Sequence, residues 1–100
     1  MKLVLIDDEP FHLIGMRTVI PWEQNHFIIV GEARSGEEGI ELILREQPDI
    51  AIVDIVMPGI DGLEMIRRVK DAAPETRFIV LSCMNDIQRY KEAVSLGAAE

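Results

Sequence analysis

Short apolar runs alternate with stretches of helical period along the whole chain. Residues 3–6 form a continuous apolar run that ends in Asp7-Asp8. Leu13, Met16 and Ile20 come next at i, i+3 and i+7, one helix face, and Pro21 closes that segment. Residues 27–30 read as a second strand. Ser35 and Glu38 then have the spacing of a capping box, and Ile40, Ile43 and Leu44 form the apolar stripe of the helix it opens, with Pro48 past its end. Residues 50–53 read as a third strand ending in Asp54. Met57-Pro58-Gly59 reads as a turn, and Asp61 as the cap of a helix burying Leu63, Ile66, Val69 and Ala73, stopped by Pro74. Residues 78–81 form a fourth strand ending at Ser82. Asn85 or Asp86 caps a last helix carrying Ile87, Tyr90 and Val94, with Gly97 as its stop.

The order is βαβαβαβα. Unbroken apolar strands mean burial on both faces, which predicts a parallel sheet covered by helices. One hundred residues suit one domain, and hydrophobic residues at 48% supply a core. No apolar run is long enough to span a bilayer, and the N-terminus has no secretory cleavage pattern, so the cytoplasm is the expected compartment. The single cysteine, Cys83, forms no internal disulfide. A net charge of −8 disfavours nucleic acid, because Arg67, Arg68 and Lys70 are a helical surface group at best.

Chemistry enters at the strand ends. The first strand ends in Asp7-Asp8-Glu9, the third in Asp54 and the fourth in Ser82. In parallel α/β sheets, function collects at the carboxyl ends of the strands. Carboxylates converging there repel one another and require a cation. Oxygen donors with no His or Cys nearby in the sequence pattern favour Mg²⁺. One carboxylate of such a cluster is able to form an acyl phosphate, with cation and hydroxyl neutralising the phosphoryl oxygens. The residues alone leave open which aspartate is the nucleophile.

The run from Val4 to Pro10 with its Asp7-Asp8 pair, the run from Pro48 to Gly62 around Asp54, and Ile79-Val80-Leu81-Ser82 together resemble the receiver domains of two-component response regulators. The similarity continues to Leu96-Gly97-Ala98. It implies a doubly wound parallel sheet, flavodoxin/CheY-like, in strand order 2-1-3-4. It implies Asp54 as phosphoacceptor and Ser82 as the hydroxyl that engages the phosphoryl group. Mg²⁺ would be held by the side chains of Asp8 and Asp54, the backbone carbonyl of Val56, and Asp7 largely through water. The implied donor is the phosphohistidine of a sensor histidine kinase. The implied readout is a downstream DNA-binding output domain, so the chain is a phosphoacceptor rather than an enzyme with turnover. Ile20-Pro21-Trp22-Glu23 resembles the receivers of AraC-type transcriptional regulators.

In that family a fifth strand with an aromatic switch residue and an essential lysine, then a fifth helix, come after the positions of Ala98-Ala99-Glu100. Residues 1–100 are therefore expected to be a C-terminally truncated receiver without its last strand and helix and without an output domain. Lys2 and Lys91 are not placed to replace the lysine, so phosphorylation is expected to be impaired. Strand four, 78–81, is expected to be an open apolar edge that invites dimerisation or a domain swap.

The remaining residues have plainer readings. Cys83 is inert, His12 and His26 lie on the surface, Trp22 packs beside the end of the first helix, and Tyr90 belongs to a core stripe. Val56 and Met84 flank the path of an attacking water, and their apolar character predicts a long-lived acyl phosphate. Three alternatives rank behind. A haloacid-dehalogenase-like phosphatase wants Asp-x-Asp on strand one, where this chain has Asp7-Asp8. An interaction module with a vestigial site sits poorly with three intact aspartates. A Rossmann domain wants a glycine-rich loop after strand one.

Overall fold

The computed structural model describes residues 1–81 and 98–99. The elements in chain order are β1 (Lys2–Ile6), α1 (Pro10–Val19), a 3₁₀ turn at Glu23–Asn25, β2 (Ile28–Ala33), α2 (Gly36–Glu46), β3 (Ile50–Asp54), α3 (Gly62–Val69), β4 (Arg77–Leu81) and β5 (Ala98–Ala99). They form one parallel sheet in the order β2-β1-β3-β4-β5. The expected order 2-1-3-4 is thus found, with one amendment. The first residues of a fifth strand are already present, Ala98 pairing with Phe78 and Ala99 with Ile79. Strand four is therefore not an open edge along its whole length.

The period of two along the strands sorts side chains to two faces. Val4, Ile6, Ala51, Val53, Phe78 and Val80 join a core completed by Leu42 and Ile43 of α2 and by Leu63, Met65, Ile66 and Val69 of α3. Leu3, Leu5 and Ile52 point the other way and pack with Leu13 and Met16 of α1, Trp22 and Phe27. Helices thus cover both faces, as in a doubly wound sheet.

Local signals act as expected at several points. Ser35 Oγ accepts the Glu38 N–H at 3.1 Å, while the Glu38 carboxylate accepts the Arg34 N–H at 3.0 Å, a capping box that reaches back one residue further than usual. Asp61 accepts the Glu64 N–H at 2.9 Å. The expected stripe Leu63, Ile66, Val69 and Ala73 is buried, and Met65 joins it. Trp22 donates its indole N–H to Met16 O at 2.8 Å and meets Phe27 edge to face at 6.0 Å. Arg68 and Arg67 lie against Glu64 at 3.1 and 3.5 Å, so α3 presents mixed charge rather than a basic patch.

Elsewhere packing overrode pattern. α2 buries Gly36, Gly39, Leu42 and Ile43, while the expected Leu44 is exposed. A Cβ on Gly39 would lie 2.6 Å from Met65 Sδ, so the two helices meet across a glycine face that carries no apolar signal. β2 runs to Ala33, three residues beyond the apolar run, because β1 continues to offer it partners, and a register shift between Leu3 and Val4 bends the pair. Ile20 leaves the helix in extended conformation and is exposed. The expected fourth helix (Asn85 or Asp86, Ile87, Tyr90, Val94, Gly97) lies outside the described residues, as do Ser82, Cys83, Met84 and Lys91.

At the amino edge of the sheet, Asp49 N–H donates to Lys2 O and Arg77 N–H to Asp49 O, both at 2.9 Å. Beside them the buried Thr76 hydroxyl donates to Pro48 O at 2.6 Å. Thr76→Val should lower stability by about 1–2 kcal/mol by leaving that carbonyl unpaired. The midpoint of urea unfolding at constant slope checks this, and an unchanged midpoint would refute it.

Candidate functional site

Strands β1 and β3 are neighbours, with Ile6 opposite Val53. The residues just past each strand therefore emerge side by side at the carboxyl edge. Asp7 N–H donates to Ala33 O at 3.0 Å, which carries the β1–β2 ladder one step further. Asp7 Oδ1 then accepts the Glu9 N–H at 2.9 Å, an Asx turn that reverses the chain into α1. Pro10 suits the first helical position, where no N–H is needed. These contacts hold Asp7 almost fully buried and leave Asp8 half-buried beside it.

Asp54 closes β3 opposite Leu81 and is half-buried. Its Oδ1 accepts the Val56 N–H at 3.2 Å, and the Val56 side chain stands out in solvent. Ile55 and Met57 alternate with it into the core, which pins the loop at both sides of Val56. Gly59 turns the loop at φ +76°, in the left-handed region. Gly62 N–H then donates to Ile55 O at 2.8 Å.

One carboxylate oxygen from each of Asp7, Asp8 and Asp54 lies within 4.8 Å of the others. Burial, reinforced by the charge of Asp7, pushes the Asp54 carboxyl from an ordinary 3.8 up to about 6. The Val56 N–H opposes that rise, while Asp8 and a hydrogen bond with Asp7 add to it. Three converging carboxylates, with negative charge already resisted at one of them, make a site that gains from a hard divalent cation. An all-oxygen donor set suits Mg²⁺ better than zinc or copper.

Of the residues expected from sequence, Asp7, Asp8 and Asp54 are thus brought together. Val56 sits two residues on, bonded to Asp54 through its N–H. Ser82 lies outside the described residues. One contact of the cluster was missed. His12 is exposed, as expected of a surface histidine, yet its Nδ1 lies 3.1 Å from Asp7 Oδ2. Asp7 and His12 are five residues apart across a helix start, a spacing that meets only once the Asx turn is formed. A groove of about 650 Å³ along β2, lined by Arg17, Trp22, Phe27 and Glu32 among others, is a separate feature, and its Arg17 and Glu32 pair with each other at 2.6 Å. Among the described residues no helix is long and apolar enough to cross a membrane.

Comparison with known proteins agrees with this geometry. Residues 3–100 match the family model of the response regulator receiver domain. The chain is 43% identical over 96 residues to the transcriptional regulatory protein YesN of Bacillus subtilis, spanning 96% of this chain and 26% of that protein. It is 34% identical over 96 residues to the nitrate/nitrite response regulator protein NarL of Escherichia coli, spanning 96% of this chain and 44% of that one. Less than half the length of these relatives is therefore represented. The REC domain of AraT, a response regulator from Geobacillus stearothermophilus, superposes with a TM-score of 0.90 at 33% identity, covering 97% of this chain and 75% of that one. Sheet order, acidic edge and sequence match converge, and the chain belongs to the response regulator receiver domain family.

Proposed function

We propose that Asp54 is the phosphoacceptor of this receiver domain, taking the phosphoryl group from the phosphohistidine of a sensor histidine kinase. The observation that carries this reading is the meeting of Asp7, Asp8 and Asp54 at the carboxyl edge, with the Asp54 carboxyl raised to about 6. At neutral pH that group is still mostly ionised, as an attacking carboxylate has to be. An Asp54 oxygen attacks phosphorus, and the bond from phosphorus to the histidine nitrogen breaks with its electron pair on the imidazole. The Val56 N–H orients the attacking carboxylate. Asp8 and Asp54, with the Val56 carbonyl, would hold Mg²⁺ directly, and Asp7 would hold it largely through water. When bound, the cation supplies positive charge to offset the phosphoryl oxygens. Ser82 engages one of those oxygens in this reading.

The phosphorylated domain shifts between two pre-existing states and thereby controls a DNA-binding output domain of the AraC type. That domain lies in a longer chain of which residues 1–100 are the receiver. The domain itself does not contact nucleic acid, a role the charge of −8 disfavours, and it acts in the cytoplasm. Self-association through the edge of β4 belongs to the same reading, with Phe78 and Ile79 of that edge already paired with Ala98 and Ala99.

Intact-mass spectrometry after incubation with acetyl phosphate and Mg²⁺ tests the reading. One phosphoryl adduct is expected on a version extended through the family's fifth strand and helix, lost with EDTA and placed at Asp54 by borohydride trapping, with a lower yield on residues 1–100. A folded extended chain that takes no phosphoryl group, or takes it at another residue, would overturn the assignment.

A further inference from the structure

Asp7 has both of its carboxylate oxygens engaged from within the chain. Oδ1 accepts the Glu9 N–H at 2.9 Å, and Oδ2 faces His12 Nδ1 at 3.1 Å. A carboxylate oxygen only accepts, so Nδ1 is the donor in the tautomer that carries its proton there. The Glu9 bond alone leaves the carboxylate free to swing about one oxygen. The second donor, on the other oxygen, sets the plane of the group.

The placement is a consequence of the fold. His12 is the third residue of α1, which begins at Pro10. Side chains on a helix lean toward its N-terminus, so a residue in the first turn covers the chain entering the helix. Here that chain is Asp7-Asp8. His12 N–H is itself tied to Glu9 O at 3.0 Å, so the ring is carried by the same turn that Asp7 closes. The Asp7 side chain is 3% exposed and that of His12 62%, so the imidazole caps the acidic cluster from its solvent side.

We propose that His12 is a positioning residue for the divalent-cation site, orienting Asp7 toward the cation through its Nδ1–H. The inference rests on the cation reading of the acidic cluster. Groups one step removed from a metal typically change its affinity 10–100-fold when removed, and His12 is a step further, because Asp7 itself would hold the cation largely through water. His12 is exposed, so the lower end of that range applies.

Calorimetric titration of Mg²⁺ into the wild-type chain, His12→Ala and His12→Asn tests this, with thermal melting of all three in EDTA. Asparagine is chosen because its Nδ2–H lies nearly where the histidine Nδ1–H does and carries no charge. His12→Ala should bind Mg²⁺ roughly tenfold more weakly, His12→Asn should bind within about threefold of wild type, and the EDTA melting points should coincide. Wild-type affinity in His12→Ala would overturn the proposal. So would a loss of affinity matched by a lower EDTA melting point and not restored by asparagine, which marks a merely structural contact. Failure of the wild-type chain to bind Mg²⁺ would overturn the cation reading as well.

Discussion

Asp54→Asn is expected to abolish phosphoryl uptake and, in metal-free buffer at neutral pH, to make the protein more stable. The Asp54 carboxyl is raised to about 6 from 3.8, first by burial and then by the charges of Asp7 and Asp8. The folded state therefore binds this proton more tightly than the unfolded state does. The residue's contribution to stability is most favourable below pH 3.8 and is lost as pH rises through about 6. Above that, the folded protein carries the full penalty of a crowded charge. A shift of this size corresponds to at most about 3 kcal/mol, and partial solvent access reduces it to about 1–2 kcal/mol. Asparagine removes the charge, still accepts the Val56 N–H through its oxygen, and offers Asp7 a donor. In EDTA at pH 7.5 the variant should melt roughly 5–10 °C above wild type. At pH 4 the two should melt together. Mg²⁺ should raise the wild-type melting point by mass action and the variant's far less. Equal melting points in EDTA from pH 4 to 8 would show that Asp54 is not destabilising, and a phosphorylated Asp54→Asn chain would remove it as acceptor.

Gly62→Ala should cost about 2–3 kcal/mol and weaken both Mg²⁺ binding and phosphoryl uptake. A Cβ at Gly62 would lie 2.4 Å from Asp54 O and 2.9 Å from Ile55 Cα. Both are backbone atoms at the end of a central strand, so neither can swing aside as a side-chain tip would. Relief has to come from moving the start of α3 or the end of β3, and the latter carries Asp54. Gly36 plays a related part, since its Cβ would lie 2.4 Å from Ile60 O and push α2 off the same loop. Gly15, in the interior of α1, has nothing within 4 Å of its would-be Cβ. Gly15→Ala should therefore stabilise by about 0.5–1 kcal/mol through helix propensity. Urea unfolding of both variants reads the contrast. Loss of stability in Gly15→Ala equal to that in Gly62→Ala would mean that close approach is not what these glycines serve.

The alternation of strands and helices, the parallel sheet and the placing of three aspartates at the ends of the first and third strands were legible in the residues alone. Each of these features is local. A buried strand shows an apolar run, the α3 face shows Leu63, Ile66, Val69 and Ala73 at helical spacing, and Ser35 and Asp61 each cap the helix after them. The proposal of Asp54 among them as phosphoacceptor is not local, and rests on resemblance.

Other features depended on how the elements pack. The buried face of α2 turned on Gly36 and Gly39, which carry no apolar signal and matter because Ile60 and Met65 come so close. The extent of β2 was set by the length of β1 beside it, and the fifth strand at Ala98–Ala99 by the free edge of β4 at Phe78 and Ile79. The rise at Asp54 and the bond from His12 to Asp7 arise only when β1 and β3 lie side by side and α1 folds back over the turn at Asp7. Charge repulsion and hydrogen bonding act through space at a few ångströms, and spacing along the chain does not report that distance.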